Sequence, residues 1–222
     1  MPTSTRTRPE LSRERILDAA LALVDREGEK KLTFRRLGAE LGADPTACYR
    51  HFRSKDDLLL ALGDRLLGDA MDQVPDGQPW RETLGQLGLA VFRGLLRHPR
   101  LAVLVGVRTT QGEQEARGIE RVLAALESAG LSVPEAVDIW HAVGDTILAW
   151  AAFEATYAAL PDDVRRQDST AWTTTYRQAP ADRYPHIAAA GPFLQQEYDA
   201  FPLALDLLLD AIAARLDDRR NP

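Results

Sequence analysis

KKLTFRRLGAELGADPTACYRHFRSKDDLL, from Lys30 to Leu59, is the stretch that decides the fold. Thr33 suits a helix N-cap, and Phe34, Leu37 and Leu41 place apolar groups on one helical face. Gly42 follows at the position where a left-handed residue stops a helix. Asp44 then caps a second helix with Pro45 at its first position, where the missing N–H costs nothing. Cys48 and Phe52 are four apart and pack inward, while Pro45 with Tyr49 and Thr46 with Arg50 take outward faces. Ser54 caps a third helix, with Asp56 and Asp57 in the first turn, where the helix dipole favours carboxylates. Helix, glycine turn, then a short helix showing polar and aromatic groups is the design of a helix-turn-helix.

Residue chemistry points the same way. Arg35, Arg36, Arg50, His51, Arg53 and Lys55 surround Tyr49, a set suited to phosphates and base edges. LTFRRLGAELG followed by ACYRHFRSKDDLL resembles the DNA-binding domain of TetR-type transcriptional repressors, down to the tyrosine, the His-Phe pair and the Ser-Lys that opens the next helix. The resemblance runs from about Arg13 to Leu62. It assigns Arg35, Pro45, Thr46, Tyr49 and Arg50 to the major groove of double-stranded DNA, and Thr33, Arg36, Tyr49, His51 and Lys55 to phosphates. Ala47 departs from the pattern, since many relatives carry a phosphate-binding hydroxyl there. DRYPHIAAAGPFLQQEYDAFPLALDLLLDAI, near the end, is similar in a looser way to the C-terminal domain of tetracycline-type repressors.

At 222 residues the chain has room for a small domain and a larger one. No run approaches the roughly 18–20 apolar residues of a membrane span. The opening MPTSTRTRPELSRER lacks the apolar stretch of a secretory signal, and the single cysteine excludes an internal disulfide. Together these predict a soluble, cytoplasmic protein with no membrane partner. Residues 1–55 hold 12 Lys+Arg against 8 Asp+Glu, and the remainder holds 15 against 25. A basic head on an acidic body lets one end approach a polyanion while the other is repelled.

In chain order the sequence predicts an all-α protein. Residues 1–11 are expected to form a disordered arm in which Arg6 and Arg8 either reach a minor groove or stay solvated. A first helix over 12–27 ends at Gly28. The helix from Ser54 to about Met71 is too long to serve the head alone, and so links it to the body. The chain divides into an arm (1–11), a helix-turn-helix domain (12–55, with the linking helix to about 72) and an effector-binding and dimerisation domain (73–222). Body helices are predicted over 80–97, 100–110, 113–128 and 134–159, and a last one from about 192 or 200 to 216. The polar stretch 161–185 shows no regular pattern.

The helix at 134–159 and the last helix are apolar on more than one face, so both need covering on several sides. Either the 161–191 segment folds over them, or they meet their copies in a homodimer as a four-helix bundle. On the second reading Ile147, Ala151, Phe201, Leu205, Leu208 and Ile212 form the interface. Polar groups set in apolar helices suggest a cavity for a small-molecule effector, lined by Leu66, Phe92, Leu104, Arg108, Trp140, His141, Asp145, Trp150 and Glu154. The aromatic residues among them suit a packed core equally. Cys48 reads as a small buried filler rather than a redox sensor. The histidines show no metal-ligand spacing, and the GxSxG, GxxxxGK[ST], HExxH and GxGxxG patterns are missing. No metal, cofactor or catalytic residue is therefore assigned. The expectation is a ligand-responsive repressor that binds a palindromic operator as a homodimer.

Overall fold

The computed structural model describes residues 11–194 and 199–220, so Arg6 and Arg8 of the arm lie outside the described residues. Eleven α-helices follow one another among the described residues, with no strand between them. Helices α1 (Arg13–Glu27), α2 (Phe34–Leu41), α3 (Pro45–Cys48) and the start of α4 (Lys55–Met71) make the head. Each is opened by a capping side chain, at Thr33, Asp44 and Ser54 as the sequence predicts and at Ser12 in addition. Ser12 accepts from Arg15 N–H at 3.3 Å, Thr33 from Arg36 N–H at 3.2 Å, Asp44 from Thr46 N–H at 2.8 Å and Ser54 from Asp57 N–H at 3.0 Å. Gly42, at φ 61°, ends α2 in the left-handed conformation.

The sequence predicts a second helix carrying Tyr49, Arg50 and Phe52 as well as Cys48, but α3 ends at Cys48. Beyond Cys48 the backbone bonds shorten to three-residue steps, Tyr49 N–H to Thr46 O and His51 N–H to Cys48 O, before Phe52 N–H returns to Cys48 O at 3.0 Å. The body comprises α5 (Trp80–Arg97), α6 (Pro99–Val105), α7 (Glu113–Ser128), α8 (Val133–Ala158), α9 (Asp162–Thr170), α10 (Pro185–Ala190) and α11 (Phe201–Arg220). Helix α6 stops five residues before the expected Thr110. There the side chains of Arg108 and Thr110 bond to Asp56 and Asp64 of α4, and Gln111 takes φ 58°. Tertiary hydrogen bonds thus pull the segment out of the helix.

Helix α9 forms where the polar composition predicted no regular structure. None of its residues is buried, so it shows no apolar period. Asp162 and Asp163 in its first turn complement its dipole.

One continuous apolar core runs from Ile16 and Leu37 in the head through Leu62 and Leu101 to Leu205 and Leu216 in the body. Polar ties reinforce the junction: His98 Nδ1 lies 2.7 Å from Asp25 Oδ2, and Arg100 donates to the Asp25 carbonyl at 3.0 Å. In the body, α8 and α11 both pack on α5. Phe92 stacks on Phe201 with centroids 3.9 Å apart. Gly88 lets Leu205 and Ile147 close in, since a Cβ there would sit 3.0 and 3.3 Å from their methyl carbons.

Candidate nucleic-acid interface and ligand cavity

The outer face of α3 is held proud by its inner face. Cys48 and Phe52 are 0% and 1% exposed, whereas Tyr49, one residue from Cys48, is 59% exposed. Burial pushes the Cys48 thiol up from its ordinary range, which suits a filler of the core. Tyr49 stands edge-on against Phe34, with centroids 4.4 Å apart and planes at 85°. Arg13 lies 4.4 Å over the Phe52 ring and donates to the His51 carbonyl at 3.2 Å, so α1 supports the turn that follows α3.

Thr46, Tyr49 and Arg50 are exposed together on this face, with Arg35 exposed on α2 and Pro45 and His51 half-buried. Thr46 Oγ1 donates to Asp44 Oδ1 at 2.7 Å, which fixes its rotamer at the start of α3. That hydroxyl and the Thr46 N–H hold the Asp44 carboxyl below the usual carboxylate range. Gly38 makes the turn possible: a Cβ there would lie 2.9 Å from Ala43 O and 3.0 Å from Pro45 N.

Two residues assigned to phosphates are engaged inside the subunit. Arg36 pairs with Glu27 at 2.8 Å and Glu40 at 3.4 Å, in a cluster that also contains Arg26. Lys55 donates to the Glu29 carbonyl at 2.6 Å and its carboxylate at 2.7 Å. Exposed pairs of this kind contribute only about 0–1 kcal/mol each, so a phosphate can compete for either cation. Spacing alone gave no sign of Glu27 and Glu29, which reach them from the end of α1 and the short turn after it.

A cavity of about 390 Å³ lies among α4, α5, α7, α8 and the turn after α6. This is within the range of small-molecule sites. Of the residues assigned to it, Arg108, Trp140, His141 and Asp145 line it. Leu66 and Phe92 are instead buried in the core, with Trp150 packed near Phe201 at 6.0 Å. Leu104 and Glu154, both half-buried, are also away from its walls. Met71, Leu87, Val122 and Leu148 supply apolar wall that the sequence reading missed. Their positions on helices of unknown crossing angle gave no signal for it.

The residues assigned to a subunit interface are mostly turned into the subunit. Ala151, Phe201, Leu205 and Ile212 are at most 3% exposed within one subunit, Ile147 lines the cavity and Leu208 is half-buried. Helix α5 covers Phe201, Leu205 and Ile147 through Phe92 and Gly88. The large apolar groups that α8 and α11 leave exposed are Val133 (55%) at the start of α8, Phe153 (64%) further along it, and Leu203 (48%) and Leu207 (59%) on α11.

Among the described residues no helix is long and apolar enough to cross a membrane, and no cluster of metal-ligating side chains occurs. The model of the tetracyclin repressor-like C-terminal domain matches residues 74–216, and that of bacterial regulatory proteins of the tetR family matches 16–62. An HTH-type transcriptional regulator of Saccharopolyspora erythraea is 31% identical over 85% of this chain and 78% of its own length. The HTH-type transcriptional repressor DrrR1 of Streptomyces coeruleorubidus is 26% identical over 96% of this chain and 82% of its own. The crystal structure of the Streptomyces coelicolor TetR family protein ActR in complex with (S)-DNPA superposes with a TM-score of 0.76. It is 26% identical, covering 92% of this chain and 98% of that one. With both halves matched and the helix-turn-helix face in place, the chain belongs to the TetR family of bacterial transcriptional regulators, which are not enzymes.

Proposed function

We propose that the chain is a cytoplasmic repressor that binds a two-fold symmetric operator as a homodimer and leaves it when a small molecule fills the cavity. The observation that carries this reading is the exposed Thr46–Tyr49–Arg50 face, held out by the buried Cys48 and Phe52. Arg35 is placed to pair with guanine in the major groove, and Tyr49 to meet sugar or a thymine methyl. Thr33, Arg36, His51 and Lys55 contact phosphates, the two cations by exchanging their internal carboxylates for DNA.

Residues 12–55 serve as the DNA-binding domain, α4 to about residue 72 as the link, and 73–222 as the effector-binding and dimerisation domain. Phe153, Leu203 and Leu207 are the groups that a second copy would cover. Such a pair places its α3 helices in successive major grooves about 34–36 Å apart, or a multiple of that spacing. Support for repression comes from a relative named as a repressor, and for an effector from the small-molecule complex of ActR. An architectural DNA binder would have no use for a cavity of this size.

An effector shifts the balance of two states only by its differential affinity for them, and a 99:1 reversal takes about 10⁴-fold. A DNase I footprint of the purified chain on DNA upstream of its own coding sequence tests the reading. A protected site with two-fold symmetry is expected, and uniform cleavage along the fragment would sink it.

A further inference from the structure

Helix α4 grips the rim of the cavity with two carboxylates, and these differ in what a ligand can do to them. Asp64 accepts from the N–H groups of Glu115 at 2.9 Å and Gln114 at 3.3 Å, and from the Thr110 hydroxyl at 3.2 Å. A Cβ at Gly112 would collide with it, so the start of α7 is moulded around this carboxylate. Its partners are mainly backbone groups, which cannot turn elsewhere.

Asp56 is held by a side chain instead. Arg108 Nη1 and Nη2 donate to its two oxygens, each at 3.0 Å, in a parallel fork. Arg108 also lines the cavity, and among the described lining residues it is the sole Lys or Arg. Its partner stands in the first turn of α4, next to Lys55 and its bond to Glu29 in the head.

Much of the cavity wall is apolar, with Met71, Leu87, Val122 and Ile147 among the lining residues. Of the acidic lining residues, Glu115 already accepts from the N–H groups of Thr110 and Gln111. Asp145 lies on the exposed side of α8, where water screens it. The Arg108–Asp56 pair is itself open to solvent, with side chains 43% and 59% exposed, so water weakens its hold. An anion seated against apolar walls is screened less than Asp56 and presents the same two-oxygen geometry to the guanidinium.

We propose that the effector is an apolar molecule bearing a carboxylate or similar oxyanion, and that this anion takes Arg108 from Asp56, freeing the first turn of α4 as the cavity fills. The proposal deepens the effector reading of the same cavity and rests on it. Binding of the anion and loosening of the α4 start are then a single exchange of partners at Arg108. The Asp64 grip keeps the rest of α4 on α7 meanwhile.

Matched probes test it on the full chain at neutral pH: anthracene-2-carboxylate and anthracene-2-carboxamide, titrated against wild type, Asp56→Asn and Arg108→Gln. Wild type is expected to bind the carboxylate about tenfold tighter than the amide. Asp56→Asn, which removes the competitor, is expected to tighten the carboxylate about threefold to tenfold and leave the amide unchanged. Arg108→Gln is expected to erase the difference between the probes. If that variant does not fold, the Asp56→Asn comparison decides alone. Equal affinity for both probes, no binding of the carboxylate, or a carboxylate affinity indifferent to Asp56→Asn overturns the proposal. Operator binding is measured separately. A chain that shows these ratios yet binds no operator refutes the repressor reading alone, and one that binds operator without them refutes the anion site alone.

Discussion

Tyr49 rests edge-on against Phe34 across the turn between α2 and α3, so the exposed ring of one helix is steadied by the nearly buried ring of the other. An edge-to-face pair contributes about 0.5–1.5 kcal/mol beyond its buried area. That is enough to fix a ring in place and too little to hold the head together. The core beneath does that, through Leu37, Cys48, Phe52 and Leu58.

Replacing Tyr49 therefore separates binding from folding. Tyr49→Ala is expected to weaken specific DNA binding about tenfold to a hundredfold, the range of a lost base or backbone contact. Its stability should fall by only about 1 kcal/mol. Phe52→Ala, which empties a site 1% exposed, should cost about 3–5 kcal/mol. Thermal melts beside an anisotropy titration distinguish the two. Equal losses of stability would show that Tyr49 is a core residue.

Gly38 is the tightest point of the turn. Gly38→Ala pushes a methyl onto the backbone at Ala43 and Pro45, neither of which can rotate away. The expected cost is about 1–3 kcal/mol, read as a lower denaturation midpoint with an unchanged denaturant slope. An unaltered midpoint would mean that α2 and α3 leave room for a methyl between them.

The head was legible in the sequence because its signals are local. Ser12, Thr33, Asp44 and Ser54 cap helices within three residues of themselves, and Gly28 and Gly42 stop two of them. Features set by tertiary contact were not legible. Arg108 and Thr110 look like the end of a helix until Asp56 and Asp64, roughly fifty residues earlier, claim them. Phe201 and Leu205 look like a subunit interface because their helix is apolar on several sides. Only the packing of α5 shows which side is already covered. Arg36 and Lys55 likewise look like free cations until Glu27 and Glu29 are seen beside them.

Asp44 gives the head a pH response whose sign can be stated. Hydrogen bonds from the Thr46 hydroxyl and N–H lower its folded pKa below the unfolded value. The stabilisation is therefore fully present above the ordinary carboxylate range and is lost as pH falls through the folded pKa. Asp44→Asn keeps a competent cap but removes the titration. Wild type should lose its advantage over this variant only in acid, below about pH 4. Denaturation midpoints of the two proteins from pH 7 to pH 3 check this, and a gap that widens in acid would contradict it.

Phe153, Leu203 and Leu207 should behave as a subunit contact. Burying a large apolar side chain contributes about 1.5–3 kcal/mol, and each group would be covered twice in a symmetric pair. Wild type is expected to sediment as a dimer and Leu203→Arg combined with Leu207→Arg as a monomer in sedimentation velocity, with helicity by circular dichroism unchanged. A double variant that sediments like wild type would place the interface elsewhere.

On the proposed function, two copies of α3 read one DNA site. Equilibrium binding of a labelled duplex carrying the footprinted sequence, set against a scrambled duplex at the same salt concentration, measures this. Two chains per duplex and a preference of about a thousandfold or more for the footprinted sequence are expected. Equal affinity for both duplexes, or a single chain saturating the site, would contradict it.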